Sequence, residues 1–232
     1  MSEPLRVGVL ASGRGSNFRA LALAAADGRI PAAVVVLVTD RPGAGALAVA
    51  AAGGRLPAAG VVLVADRVGA GAPAVARELG IDAVVLEPGQ HPSREAHEKA
   101  AIAALEERQV GLVCLAGYMR LLSPGFVDHF RGRLLNIHPS LLPAFPGLHP
   151  QRQALEHGAR VSGVTVHFVD DGVDTGPIVL QAAVPVMTDD TEATLADRIR
   201  VEEHRLYPEA VRLFARGRLE IQGRLVRIRE TP

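Results

Sequence analysis

The chain has 232 residues, enough for one large domain or two small ones around a sizeable buried core. Its 25 basic residues, all but one of them Arg, balance 25 acidic ones. A net charge of zero argues against nucleic-acid binding through a strong basic field. The single cysteine, Cys114, rules out an intramolecular disulfide framework and a four-cysteine zinc site. It lies in an apolar run and reads as a small buried hydrophobe. No stretch reaches the ~18 to 20 continuous apolar residues of a membrane span. The N-terminus lacks the charged-then-apolar order of a secretory leader. These features together predict a soluble, cytoplasmic protein without a membrane or nucleic-acid partner.

Residues 5–11 form a strand that is apolar on both faces, as in parallel sheets covered by helices. Residues 17–26 read as a helix, ended near Gly28 and Pro31. Further strands are expected at 33–38, 83–86, 111–116 and 134–138, with a helix over 93–108. This alternation predicts an α/β fold: an open, mostly parallel twisted sheet with helices on both faces. The second half changes character. Residues 164–169 and 177–186 read as strands joined by a short loop. A long helix follows over 191–216, then a hairpin over 218–228 that turns at Gly223. No linker separates the halves, so a single domain spanning 1–232 is expected.

Residues 29–54 match residues 55–80 at 18 of 26 positions. Each copy reads as strand, turn, helix. Two copies are too few for a solenoid. The repeat predicts an extra strand-helix unit, with residues 59–64 as an added parallel strand beside the second strand; an irregular excursion is the competing reading.

Ser12-Gly13-Arg14-Gly15-Ser16-Asn17 follows the first strand and opens a helix. Glycine admits a ligand close to the backbone, and the free N–H groups of a helix start attract an anion. Ser16 and Asn17 can cap the helix or donate to phosphate oxygens. A dinucleotide fingerprint would need a third glycine at position 18, where Phe18 stands, so the loop suits a single phosphate. A capped tight turn is the plain structural reading. Asp40 lies at the spacing of a ribose-binding acid, but its copy Asp66 has the same setting, and both read as turn residues.

Side chains alternate on a strand, so Leu134, Asn136 and His138 share one face. An amide and an imidazole on a buried strand must both be satisfied. Pro139 stops the ladder, and Pro143, Pro146 and Gly147 keep the next stretch non-helical. Asn136 and His138 are therefore expected near the C-terminal end of a parallel strand, where open α/β sheets bind ligands. Asp170, Asp171, Gly172, Val173 and Asp174 form an acidic loop that resembles a calcium loop. It lacks the ligand order and distal Glu of one. A carboxylate that orients or charges a nearby imidazole is the better use. Spacing alone does not make His167 and Asp174 neighbours. On the long helix, Leu195, Ile199, Leu206, Ala210 and Leu213 mark an apolar stripe that includes Glu203. A carboxylate there pairs with an Arg or faces a ligand.

Over residues 136–155 the chain resembles the phosphoribosylglycinamide formyltransferase family. The resemblance extends over about residues 5–220. It includes Gly13-Arg14-Gly15-Ser16-Asn17, Ser93-Arg94-Glu95-Ala96, Ala116-Gly117-Tyr118-Met119-Arg120, Val166-His167-Phe168-Val169 and Asp174-Thr175-Gly176-Pro177. The resemblance implies a Rossmann-like formyltransferase fold and formyl transfer from 10-formyltetrahydrofolate, a co-substrate, to the amine of glycinamide ribonucleotide, without a metal. It implies that Gly15, Ser16 and Asn17 hold the substrate phosphate. Arg200, Val201, Glu202 and Glu203 complete that site. Asn136 and His138 form the catalytic pair, and Asp174 raises the basicity of His138. The folate falls to Arg94, Met119, Arg120, Leu121, Leu122, Leu134, Asn136 and the loop Asp170, Asp171, Gly172, Val173 and Asp174. The N-terminal half (about 1–110) would then bind the ribonucleotide. The C-terminal half (about 111–232) would bind folate and carry the catalysis, in a monomer or homodimer. The family has one strand-helix unit where this chain repeats it. Rival readings are a methionyl-tRNA formyltransferase, which carries a further C-terminal domain, and a formyltetrahydrofolate deformylase, which carries an N-terminal one. A third is a non-catalytic nucleotide-binding or oxidoreductase domain, disfavoured by the absent glycine.

Overall fold

Among the described residues, the apolar runs of the first half form the strands β1 (Leu5–Leu10), β2 (Ala32–Thr39), β3 (Asp82–Val85) and β4 (Leu112–Leu115). All their pairings are parallel, in the order β3-β2-β1-β4. The computed structural model describes residues 3–41 and 81–230. These fall into two units, one ending at Leu134 and the other beginning at Leu135. Val7, Val9, Val36, Leu37, Leu112 and Val113 are all inaccessible to solvent. Such two-sided burial is the reason these strands read as continuous apolar runs rather than as alternating ones.

Helices fill the β1–β2 and β3–β4 crossovers of this first unit. Helix α1 (Ser16–Ala26) follows β1 and buries Phe18, Leu21, Ala22 and Ala24. Helix α2 (Arg94–Glu107) starts at Ser93, whose side chain accepts from the Ala96 N–H and caps the helix. A short helix α3 (Pro124–His129), not foreseen, is capped in the same way by Ser123, with Pro124 in the first position where a missing N–H costs nothing. Both neighbours of β2 are described strands: β1 on one side, and β3 along Val36–Thr39 on the other. The repeat's second copy, including the strand expected at 59–64 and Asp66, lies outside the described residues. Asp40 ends β2 at a bend, as expected, and is buried there.

In the second unit β5 (Leu134–His138) runs antiparallel to β6 (Val161–Phe168), and β6 antiparallel to β7 (Ile178–Pro185). The parallel pairing expected for the first half therefore gives way at β5, whose partner in this unit is antiparallel. Another unforeseen helix, α4 (Pro150–Glu156), fills part of the β5–β6 connection. Helix α5 (Glu192–Ala215) opens on a capping box between Thr191 and Thr194 and packs over β6 and β7. Its inner face buries Leu195, Ile199, Leu206, Ala210 and Leu213, the expected stripe, with Tyr207 anchored through its hydroxyl to the Leu135 carbonyl at 3.1 Å. The terminal hairpin of β8 (Leu219–Gln222) and β9 (Leu225–Ile228) turns at Gly223, whose φ is +60°. Among the described residues no helix is long and apolar enough to cross a membrane.

Candidate active site

Antiparallel register builds the centre of the second unit. Asn136 lies opposite His167 and His138 opposite Thr165 on β5 and β6. Cross-strand partners of this kind have neighbouring side chains. The loop after β6 then brings Asp174 onto the same cluster. The Asp174 carboxylate has four partners. Its Oδ2 accepts from the Gly147 N–H at 2.8 Å and lies 3.3 Å from His138 Nδ1. Its Oδ1 accepts from Asn136 Nδ2 at 3.3 Å and lies 3.6 Å from His167 Nε2. The loop closes because Gly176 has no Cβ. A Cβ there would sit 1.8 Å from the Phe168 carbonyl oxygen.

Backbone conformation adds to this. Phe145, His149 and Asp174 all adopt positive φ values near 55°. For residues other than glycine that conformation is costly, and it concentrates where loops are held for function.

Each of the two histidines turns one ring nitrogen to a backbone carbonyl. His138 is 5% exposed, with Nε2 2.9 Å from the Phe145 carbonyl and Nδ1 toward Asp174. Burial pushes its pKa below the ordinary imidazole value, against the upward pull of the Asp174 charge and the Phe145 carbonyl. For His138 the burial outweighs both upward pulls. Asp174 shows the opposite balance. Burial raises its pKa, but His167, the Gly147 N–H and the charge of His138 together hold it below the usual carboxylate range. His167 Nδ1 lies 2.8 Å from the Phe168 carbonyl, which can only accept, so that nitrogen carries the proton. Its Nε2 lies 3.3 Å from Asn136 Nδ2, on the side of the Asp174 carboxylate. The Asn136 amide is thereby turned with its N–H side to His167 and Asp174.

Behind the cluster, Thr165 and Gln181 fix the loop that carries Phe145 and Gly147. The Thr165 hydroxyl donates to the Ser140 carbonyl at 2.7 Å and accepts the Leu142 N–H at 3.0 Å. Gln181 Nε2 donates to the Leu142 carbonyl and to Thr165, both at 2.9 Å. The Leu142–Pro143 peptide in this loop is cis.

The other expected site residues lie in separate places. Gly15 is the N-cap of α1 at φ +80°, a left-handed conformation that suits glycine, and no side chain caps that helix. Its first-turn N–H groups, from Ser16 and Asn17, point as an anion site requires. Met119, Arg120, Leu121 and Leu122 form the loop between β4 and α3, with Met119 61% and Leu121 68% exposed. Arg94 opens α2 and pairs with Glu98 at 3.1 Å. Leu134 is buried at the start of β5.

In the acidic loop, Asp170 is occupied internally. It accepts from the Gly172 N–H at 3.1 Å and the Thr175 hydroxyl at 2.6 Å. Asp171 and Val173 stand exposed beside it. Arg200, Val201, Glu202 and Glu203 occupy a full turn of α5, so they cannot all face one ligand. Val201 points to solvent, Glu202 pairs with Arg205 and Arg200 with Asp197. Arg200 and Glu203, three apart, share a side. Among the described residues no group of three His, Cys, Asp or Glu is arranged to hold a metal ion. Sequence reasoning missed His167, Glu98 and Thr165. The period-2 alternation of β6, which puts Thr165 and His167 on one face, was the available signal for two of them.

The cluster offers an amide donor, a buried imidazole and a carboxylate tied to both. The sequence profile of the family described as "Formyl transferase" matches residues 5–211. The chain is 41% identical over 223 residues to "Phosphoribosylglycinamide formyltransferase" of Mycobacterium tuberculosis, covering 96% of this chain and 91% of that one. It is 44% identical over 214 residues to "Trifunctional purine biosynthetic protein adenosine-3" of Drosophila melanogaster, but spans only 14% of that protein's length. Its fold superposes on the crystal structure of glycinamide ribonucleotide transformylase 1 from Symbiobacterium toebii with a TM-score of 0.86 and 49% identity, over 99% of this chain and 96% of that one. The open, mostly parallel α/β fold expected from the sequence is that of these structures, and the chain belongs to the formyl transferase family.

Proposed function

We propose that the chain transfers a formyl group from 10-formyltetrahydrofolate to the amine of 5'-phosphoribosylglycinamide, in de novo purine biosynthesis. The observation that carries this reading is the contact of Asp174 with both Asn136 and His138. Formyl transfer from one nitrogen to another makes two demands. A tetrahedral oxyanion must be stabilised, and a proton must move from the attacking amine to the departing nitrogen. One N–H of Asn136 turns to the formyl oxygen as negative charge develops there. His138 moves its proton from Nε2, where it faces the Phe145 carbonyl, to Nδ1, where Asp174 accepts it, and the freed Nε2 takes the proton of the attacking amine. The imidazolium so formed is stabilised by Asp174 and returns the proton to the tetrahydrofolate nitrogen as the C–N bond breaks. The reaction needs no metal.

Gly15, Ser16 and Asn17 take the ribonucleotide phosphate, and the α5 turn of Arg200, Val201, Glu202 and Glu203 completes that site. Arg94, the 119–122 loop, Leu134 and the loop from Asp170 to Asp174 take the folate. On this reading the N-terminal part serves the ribonucleotide and the C-terminal part serves folate and catalysis. The enzyme works in the cytoplasm on small molecules, as a monomer or homodimer.

The test is a folate absorbance assay on purified protein with and without glycinamide ribonucleotide. Turnover that depends on the ribonucleotide supports the transferase. Formate release without it would replace this reading with a hydrolase.

A further inference from the structure

The 119–122 loop presents two exposed apolar side chains, Met119 and Leu121, on a base pinned at both ends by buried polar groups. At one end the Met119 N–H donates to the Ser12 hydroxyl at 3.1 Å. The other end runs into Ser123, the N-cap of α3, and there the partner is Glu98. This side chain is 7% exposed. Its Oε1 accepts the Ser123 N–H at 2.9 Å and Arg94 Nε at 3.1 Å, and its Oε2 accepts the Ser123 hydroxyl. Ser123 Oγ in turn accepts the Phe126 N–H at 3.2 Å. One buried carboxylate thus holds an arginine of α2 and the end of the β4–α3 loop.

A buried carboxylate needs compensation, and Arg94 with the two Ser123 donors supplies it. Stability alone does not account for the choice of partners. Arg94 is 41% exposed at its side chain, so its charge is only partly spent on Glu98. The exposed apolar pair stands on the loop that the same carboxylate closes. We propose that Glu98 is a positioning residue for the folate co-substrate: it fixes the guanidinium of Arg94 and the apolar 119–122 loop as one recognition surface. This rests on the reading of those residues as the folate face.

The test measures KM for 10-formyltetrahydrofolate and for glycinamide ribonucleotide separately in Glu98→Ala, Glu98→Gln, Arg94→Ala, Leu121→Ser and the double variant Arg94→Ala/Glu98→Ala, with thermal unfolding alongside. Glu98→Ala is expected to raise the folate KM about tenfold while leaving kcat and the ribonucleotide KM unchanged. The double variant is expected to fall short of the product of the two single effects, because both remove the same placed guanidinium. Where Glu98→Ala fails to fold, Glu98→Gln, which keeps the shape and one acceptor, carries the same comparison. Arg94→Ala and Leu121→Ser raising the folate KM while the Glu98 variants leave it alone would overturn the positioning role. So would a Glu98 effect shared equally by both substrates. If neither Arg94→Ala nor Leu121→Ser moves the folate KM, the folate reading itself fails and the role falls with it.

Discussion

The β5–β6 cluster and the α1 N-terminus handle polar chemistry by opposite means. On β5 and β6, side chain meets side chain: Asn136, His138, His167 and Asp174 hold one another within 3.6 Å. At α1 the main chain supplies the donors, around a left-handed Gly15 with no side-chain cap. The first arrangement depends on register, since a one-residue slip would turn Asn136 and His138 to the far face of the sheet. The second depends only on helix geometry and tolerates changes of side chain. The difference teaches where side-chain substitution should hurt under the proposed function: in the cluster proposed to carry the chemistry, rather than at the backbone proposed to bind the anion.

The sharpest way to break this contrast is His138→Ala. It should reduce kcat about a thousandfold while circular dichroism stays native; near-normal turnover would remove the imidazole from the chemistry. Asn136→Ala should cost about a hundredfold in kcat, measured at saturating substrates, as loss of one oxyanion donor does. Asp174→Asn should cost about tenfold and move the acidic limb of the pH–rate profile to lower pH. The sign follows from the site: the Asp174 charge raises a His138 pKa that burial depresses, so removing it lets the value fall further.

The same variant has a stability signature. Asp174 titrates lower in the folded chain than in the unfolded one. Its ionised form therefore stabilises the fold above the ordinary carboxylate range, and that contribution is lost as pH falls through the depressed folded value. Urea midpoints of the variant and the parent should converge as pH falls below the ordinary carboxylate range. Gly15→Ala should act on binding, raising the ribonucleotide KM severalfold with kcat kept, because φ +80° costs alanine about 1 kcal/mol. Thr165→Val should act least on turnover. It strands the Leu142 N–H and should lower unfolding free energy by about 1–3 kcal/mol in a denaturant titration.

The strands and the long helices were legible because their signals are local. Two-sided apolar runs mark β1, β2 and β4, and Ser93 and Thr191 mark helix starts at their caps. Helices α3 and α4 escaped because each is short and opens on a proline that reads as a breaker. In the site, Asn136 and His138 announced themselves by two-residue spacing on a buried strand. Their tie to His167 could not be read, because antiparallel register is set by tertiary packing across a long connection. Helical periodicity placed Glu203 on an inward side, but a run of four residues was too coarse a unit for a helix that turns 100° per residue. The protonation balance of His138 was illegible for another reason: the sequence shows the carboxylate that raises the pKa, while the burial that lowers it belongs to the fold.

Position 174 carries one more consequence. Its left-handed backbone, φ +54°, is comfortable for glycine and tolerable for asparagine and aspartate, whose short polar side chains make up part of the cost. A library randomised there would be filtered twice. The main chain would discard most side chains before any reaction is tried, and of the survivors only aspartate carries a charge. Mutational tolerance at this site should therefore look binary, with few graded intermediates, and asparagine is the cleanest uncharged probe the backbone accepts.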